Sequence, residues 1–346
     1  MAKGCKYGTH RVIEPEGAMP QAAWKIDNEM AVRDNEILIN VQTLNIDAAS
    51  FTQIKKQAGN DEKRIGEIMM GIVADRGKHH NPVTGSGGML IGTVEKIGPD
   101  LIGSTDLEVG DRIATLVSLT LTPLVIDKII KVHLDTDQVD IEGHAILFES
   151  GIYAKLPNDM PDSLSLAVLD VAGAPAQTAK LVHPGDTVLI IGAGGKSGLL
   201  CMYEAKKRAG VTGKVIALAH SEASKARAEA TGFADVVIAG DATRPLEIMK
   251  MVEEATGGKM ADVTINCVNI PGTEMSSILS TRDMGIIYFF SMATSFTAAA
   301  LGAEGVGRDV TMIIGNGYTR GHAEIALETL RESPKLRKIF EDLYAR

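Results

Sequence analysis

Only three cysteines occur in the 346 residues, Cys5, Cys201 and Cys267, and no two of them form a CxxC pair. That scarcity argues against a disulfide framework or a zinc finger and leads to the expectation of a reducing, cytoplasmic setting. No apolar run approaches the ~20 residues of a membrane span, and no signal-peptide core is recognised at the N-terminus. Positive charge is also short. Thirty-five Lys and Arg stand against 44 Asp and Glu, a formal charge of −9, which disfavours nucleic acid as a partner and mildly favours a cationic substrate. What is present is 45% hydrophobic residues, ordinary for a globular chain with sizeable cores. The chain is too long for a single domain of common size, and it shows no internal repeat or low-complexity linker.

The densest signal is Asp186-Thr187-Val188-Leu189-Ile190-Ile191 followed by Gly192-Ala193-Gly194-Gly195-Lys196-Ser197-Gly198-Leu199. A continuously apolar run is the signature of a parallel strand covered on both faces. A glycine turn leading into a helix lets the backbone approach a pyrophosphate, whose charge rests on free N–H groups. The alternation continues. Helical stretches at 199–209, 222–231, 246–255 and 275–279 separate apolar runs at 214–219, 236–238, 262–267, 286–290 and 310–314. Six short strands divided by helix-length segments predict a Rossmann α/β domain with a doubly wound parallel sheet. Gly192, Gly194, Gly195 and Gly198 form the turn, with Lys196 and Ser197 as further pyrophosphate donors. Where an acidic residue would hold the ribose 2′-hydroxyl, the chain reads Ala219-His220-Ser221, with Lys225 nearby. Loss of that carboxylate removes repulsion against a 2′-phosphate. The residues alone thus favour dual use of NAD and NADP. Val268 and Asn269 are expected beside the nicotinamide ribose, and Ser291 and Met292 beside its ring.

Before residue 157 the pattern changes to alternating strands, at 36–44, 91–98 and 109–116, with shorter candidates at 131–134 and 154–156. Many strands and few helices predict a β-barrel-like domain over 1–156 and a Rossmann domain over 157–321. An amphipathic helix over 322–346 is expected to pack back across the junction. In order along the chain, Asn45-Ile46-Asp47, Gly92-Thr93-Val94-Glu95-Lys96-Ile97-Gly98, Val109-Gly110-Asp111-Arg112-Ile113 and Pro184-Gly185-Asp186-Thr187-Val188 resemble the medium-chain dehydrogenases/reductases. That resemblance implies a GroES-like catalytic domain ahead of the Rossmann domain, an active site in the cleft between them, and a homodimer. The opening Lys3-Gly4-Cys5-Lys6-Tyr7-Gly8-Thr9-His10-Arg11-Val12, with Asn81-Pro82-Val83-Thr84-Gly85-Ser86-Gly87-Gly88-Met89, is similar to the L-erythro-3,5-diaminohexanoate dehydrogenase family of lysine fermentation. This implies deamination of a small cationic diamino acid to 5-amino-3-oxohexanoate and ammonia, with NAD as the primary cofactor and NADP possible. A zinc-free quinone or enoyl reductase and a non-catalytic dinucleotide-binding protein remain alternatives.

Zinc alcohol dehydrogenases of the superfamily supply a Cys, a Gly-His-Glu segment and a second Cys to their metal. Here the corresponding places hold Asn45, Gly85-Ser86-Gly87 and Asp170-Val171. Zinc needs N and S donors at tetrahedral spacing, so no metal is expected, and His79-His80 read as a solvated loop. Amine chemistry tolerates the loss. Hydride departure from an amine carbon leaves a cationic iminium, which a carboxylate favours and a metal cation opposes. Alkyl amines titrate near ~10, so a general base must first take a proton. By position, Asp170 is a candidate base or, equally, a structural carboxylate. Glu149, Ser86, Lys78 and His79 are candidates for proton transfer or for holding water or amine, each weighed against a surface or turn role. Tyr7, Asn45 and Arg11 are candidate substrate contacts. Arg11 would fork onto the carboxylate or else pair with Glu14.

Overall fold

The computed structural model describes residues 2–315 and 317–345. The chain divides into two units, Met1–Asp159 and Met160–Arg346, so the boundary falls three residues after the expected one.

In the first unit a short antiparallel pair, β1 (Val12–Glu14) and β2 (Lys25–Ile26), precedes β3 (Glu36–Ile46). Two helices follow, α1 (Ala48–Ala58) and α2 (Glu62–Arg76), then β4 (Gly88–Ile97), β5 (Arg112–Thr115), β6 (Leu124–His133), β7 (Gln138–Phe148) and β8 (Tyr153–Lys155). The last six strands make one antiparallel sheet in the order β6-β7-β3-β4-β5-β8. Phe51 and Ile54 of α1 and Ile65, Met69 and Val73 of α2 recur at helical spacing and share a core with Ile39, Val41 and Leu44 of β3. Each such buried side chain contributes about 1.5–3 kcal/mol. These two α-helices among eight strands match the expected pattern of many strands and few helices.

The second unit begins with α3 (Asp162–Leu169) and α4 (Gly173–Leu181) and continues as β9 (Thr187–Ile191), α5 (Lys196–Ala209), β10 (Lys214–Ala219), α6 (Glu222–Thr231), β11 (Val236–Ala239), α7 (Pro245–Thr256), β12 (Ala261–Asn266), α8 (Glu274–Ser280), β13 (Thr281–Phe289), α9 (Phe296–Val306) and β14 (Thr311–Ile314). All strand pairings are parallel and the order is β11-β10-β9-β12-β13-β14. This is the doubly wound order, whose switch point lies between β9 and β12, where such sheets bind ligands. The C-terminus forms two helices, α10 (His322–Glu332) and α11 (Pro334–Tyr344), rather than one. Ser333 caps α11 by accepting from the Leu336 amide, and Pro334 occupies its first position. They pack on α3, α4, α5 and α6, within the second unit.

Candidate functional site

In the second unit, β9 runs into the glycine turn. The Gly192 and Ala193 amides both donate to the Leu218 carbonyl at the end of β10, at 2.9 and 3.0 Å. The helix α5 then starts at Lys196 with no side-chain cap on Gly195, so its first amides are left for an anion. A Cβ on Gly198 would lie 2.2 Å from the Gly192 carbonyl oxygen, so only glycine lets the helix come this close to the turn. The Gly192–Gly198 segment thus fits the pyrophosphate of a dinucleotide.

The remaining expected residues of this unit fall into three groups. Lys196 and Asp170, assigned separate duties from sequence, are bonded to each other: Nζ lies 2.5 Å from Oδ2. Asn269 and Ser291, at the ends of β12 and β13, meet through a bond from Ser291 Oγ to Asn269 Oδ1 (3.3 Å). Val268 flanks the turn, since a Cβ on Gly192 would be 2.9 Å from its Cγ2. Met292, by contrast, is 87% exposed. At the end of β10, His220 is exposed and Ser221 caps α6, its hydroxyl accepting from the Ser224 amide. Lys225 stands 3.9 Å from Glu229. Sequence reading passed over Arg227, whose Nε donates to the Gly194 carbonyl at 2.9 Å. Its signal was a third cationic or imidazole side chain, after His220 and Lys225, within one short stretch.

In the first unit the segment after α2 returns to β4 beside the end of β3. Asn81 Oδ1 accepts from the Val83 amide, a turn that asparagine favours. Gly88 has φ +127°, and a Cβ there would be 2.1 Å from the Asn45 carbonyl oxygen. The Ser86 hydroxyl is 2.7 Å from that of Ser50, which is 2.5 Å from Thr84 Oγ1. Ser50 is fully buried on α1; with α1 unrecognised in the sequence, nothing placed Ser50 near Ser86. Asn45 Oδ1 accepts from Gln138 Nε2 at 3.3 Å, and Asp47 Oδ2 accepts from the Gly87 amide.

Several sequence candidates prove to have structural work instead. Arg11 is buried and forks onto Glu36, with Nε and Nη2 each 2.7 Å from a carboxylate oxygen. Its remaining donors go to the carbonyls of Glu29 and Ala31. Its carboxylate partner is Glu36 rather than Glu14. Burial would raise the Glu36 carboxyl, but Arg11, the Arg33 amide and His10 together hold it below its ordinary value. Tyr7 is exposed, with Lys6 over its ring. Glu149 is exposed and accepts from Asn35 Nδ2.

Lys78 and His79 are fully buried, against the solvated-loop reading. Lys78 Nζ donates to the Pro20 and Gln21 carbonyls (2.6 and 3.3 Å), fastening the N-terminal segment. Burial, helped by Arg76, lowers it to about 8. Burial pushes His79 down to about 4, and neither ring nitrogen has a partner. Among the described residues, no three His, Cys, Asp or Glu side chains are grouped to hold a metal ion.

An antiparallel β unit ahead of a six-stranded parallel sheet with such a turn is the architecture of the medium-chain dehydrogenases/reductases. Solved structures share this fold. AibC has a TM-score of 0.56 at 19% identity, covering 89% of this chain and 84% of that one. The Escherichia coli quinone oxidoreductase, complexed with NADPH, has a TM-score of 0.52 at 16% identity, covering 94% and 86%. Sequence kinship is narrower. Residues 10–157 match the L-erythro-3,5-diaminohexanoate dehydrogenase N-terminal domain. The L-erythro-3,5-diaminohexanoate dehydrogenase of Acetoanaerobium sticklandii is 64% identical over 342 residues, 99% of both chains. That of Fusobacterium nucleatum subsp. nucleatum is 61% identical over 344 residues, 99% of this chain and 100% of its own. The chain belongs to the L-erythro-3,5-diaminohexanoate dehydrogenase family.

Proposed function

We propose that this chain catalyses the NAD(P)-dependent oxidative deamination of L-erythro-3,5-diaminohexanoate to 5-amino-3-oxohexanoate and ammonia, a step of lysine fermentation. The observation that carries this reading is kinship of 64% identity over 99% of the chain, and the fit of the glycine turn to a pyrophosphate supports it. A nicotinamide dinucleotide held at the Gly192–Gly198 turn would supply the hydride acceptor for C3. The protein must manage a proton from the ammonium, the charge of the iminium, and the water that hydrolyses it.

Asp170 is the proposed proton acceptor. Lys196, at the first position of α5 and paired with Asp170, would serve the pyrophosphate of a dinucleotide, which would free the carboxylate. A free carboxylate stabilises a developing iminium, as a metal would not. Ser86, oriented by the buried Ser50, is proposed to hold the amine or the hydrolytic water. Arg227, His220 and Lys225 favour acceptance of the 2′-phosphate of NADP beside NAD as the principal cofactor. We also propose a cytoplasmic homodimer. The free thiols of all three cysteines and the unpaired outer edge of β14 support those two points.

The test is incubation of the purified protein with NAD and the diamino acid, following reduced nicotinamide and ammonia together. Equal yields of the two are expected. Absence of turnover with the amine, with NADPH consumed on quinones, would replace this reading by the reductase one. Replacing Asp170 by Asn is expected to cut kcat by roughly 10²–10⁴-fold, the usual range for a lost acid–base group, without weakening NAD binding. A parallel loss of NAD affinity would show that Asp170 serves the cofactor instead.

A further inference from the structure

The second unit contains a cavity of about 330 Å³, lined by α4, by the ends of β13 and β14, and by the segment leading to α10. Pockets of this size hold small molecules. Polar side chains in its lining include Gln177 and Lys180 from α4, Tyr288 from β13, and Thr319 and Arg320, and among the described residues no acidic one lines it. On a chain with a net charge of −9, a cavity with two cations and no carboxylate stands out. Neither Lys180 nor Arg320 has an ion pair or hydrogen bond among the described residues.

Tyr288 adds an independent observation. It is 2% exposed, yet its hydroxyl has no hydrogen-bond partner among the described residues. Burial pushes the phenol far above its ordinary value, so it remains a donor. The hydroxyl is not itself sealed from solvent: it opens onto the cavity, where a ligand can accept its hydrogen. A Cβ on Gly315 would lie 2.9 Å from this hydroxyl, so the absent side chain keeps its approach open. Thr319 Oγ1 donates to Gln177 Oε1 at 2.9 Å, which leaves the Gln177 amide hydrogens to donate elsewhere. The 11-residue helix α10 begins two residues after Arg320 with no side-chain cap, and its positive end adds to the same field.

We propose that this cavity binds a small oxyanion, a carboxylate or a phosphate group, held by Lys180, Arg320, the Tyr288 hydroxyl and the Gln177 amide. Every one of these groups donates and none brings a negative charge, which is the complement of an oxyanion and of little else. The residues of the glycine turn take no part in it, and the proposal stands independently of the amine dehydrogenase reading.

Isothermal titration calorimetry of the full chain with inorganic phosphate, and separately with 3-aminobutanoate, tests it and separates the two sources. At least one probe is expected to bind. The K180Q/R320Q variant should weaken that binding by roughly tenfold or more, the scale of lost charge-assisted bonds, and Tyr288→Phe by a smaller factor. NADH binding, read by fluorescence, should be retained in both. Heat with phosphate alone assigns a phosphate ligand, and heat with 3-aminobutanoate alone assigns a carboxylate. If neither probe binds the parent protein, or binding is unchanged in both variants, the proposal fails. Should the double variant not fold, Y288F, which removes a single oxygen, decides the question.

Discussion

At the level of single residues, the instructive cases are polar groups whose partners lie far away in sequence. Arg11 and Glu36 are 25 positions apart and both nearly inaccessible, so Arg11 could not be distinguished from a substrate-binding arginine by its neighbours in the chain. Breaking a buried pair leaves an uncompensated charge. Arg11→Met is therefore expected to cost about 3–5 kcal/mol of stability, seen as a lowered urea midpoint. An intact midpoint with a raised KM would return Arg11 to the substrate. His79 and His80 make a pH-dependent prediction. The unfolded chain protonates them near the ordinary 6.5, while the folded protein does so only at about 4. Between those values the unfolded state binds more protons, so stability should fall as pH drops from 6.5 towards 4. The H79Q/H80Q variant should show a shallower fall than the parent in urea titrations at pH 7 and 4.5; equal slopes would place the effect elsewhere.

At the level of elements, the Rossmann strands were legible because each is a short apolar run between helix-length segments, and β9 is buried along almost its whole length. The helices α1 and α2 were not read, although their end signals were present. Asp61 accepts from the Arg64 amide at the start of α2, and Gly59 and Gly77 close the two helices in the left-handed conformation. The apolar residues of α1 are separated by Gln and Lys and those of α2 by Gly and Glu, so the alternating strands on either side set the reading. The junction of turn and α5 supports a sharper expectation. Gly198→Ala sets a methyl against the backbone oxygen of Gly192, and neither can move without opening the turn. Loss of NADH binding by at least tenfold is expected, with the first unit's stability little changed. Retained affinity would mean that the turn does not carry the pyrophosphate.

On the scale of the whole molecule, the composition and the order of strands and helices identified a two-unit α/β protein, and no described helix is long and apolar enough to cross a membrane. The proposed dimer belongs here too. β14 is an outer strand, and exposed Ile314 (58%), Phe296 (69%) and Leu301 (61%) supply apolar surface of the kind that association covers. Light scattering should give twice the chain mass of 36.7 kDa, and F296E/L301E should shift the protein towards one chain. A parent mass of a single chain would rule the dimer out. Local pattern determined what is periodic or contiguous: the apolar strands, the glycine turn, and the motifs that place the chain in its family. Tertiary structure alone decided which distant side chains meet. It brought Asp170 to Lys196 at 2.5 Å, Ser50 to Ser86, and Cys201 to within 3.9 Å of Cys267 across 66 residues of sequence. Backbone propensity and hydrophobic periodicity act over a few residues and can be read along the chain. The partner of a buried charge or hydroxyl is set by how the elements pack, and it is visible only once they have packed.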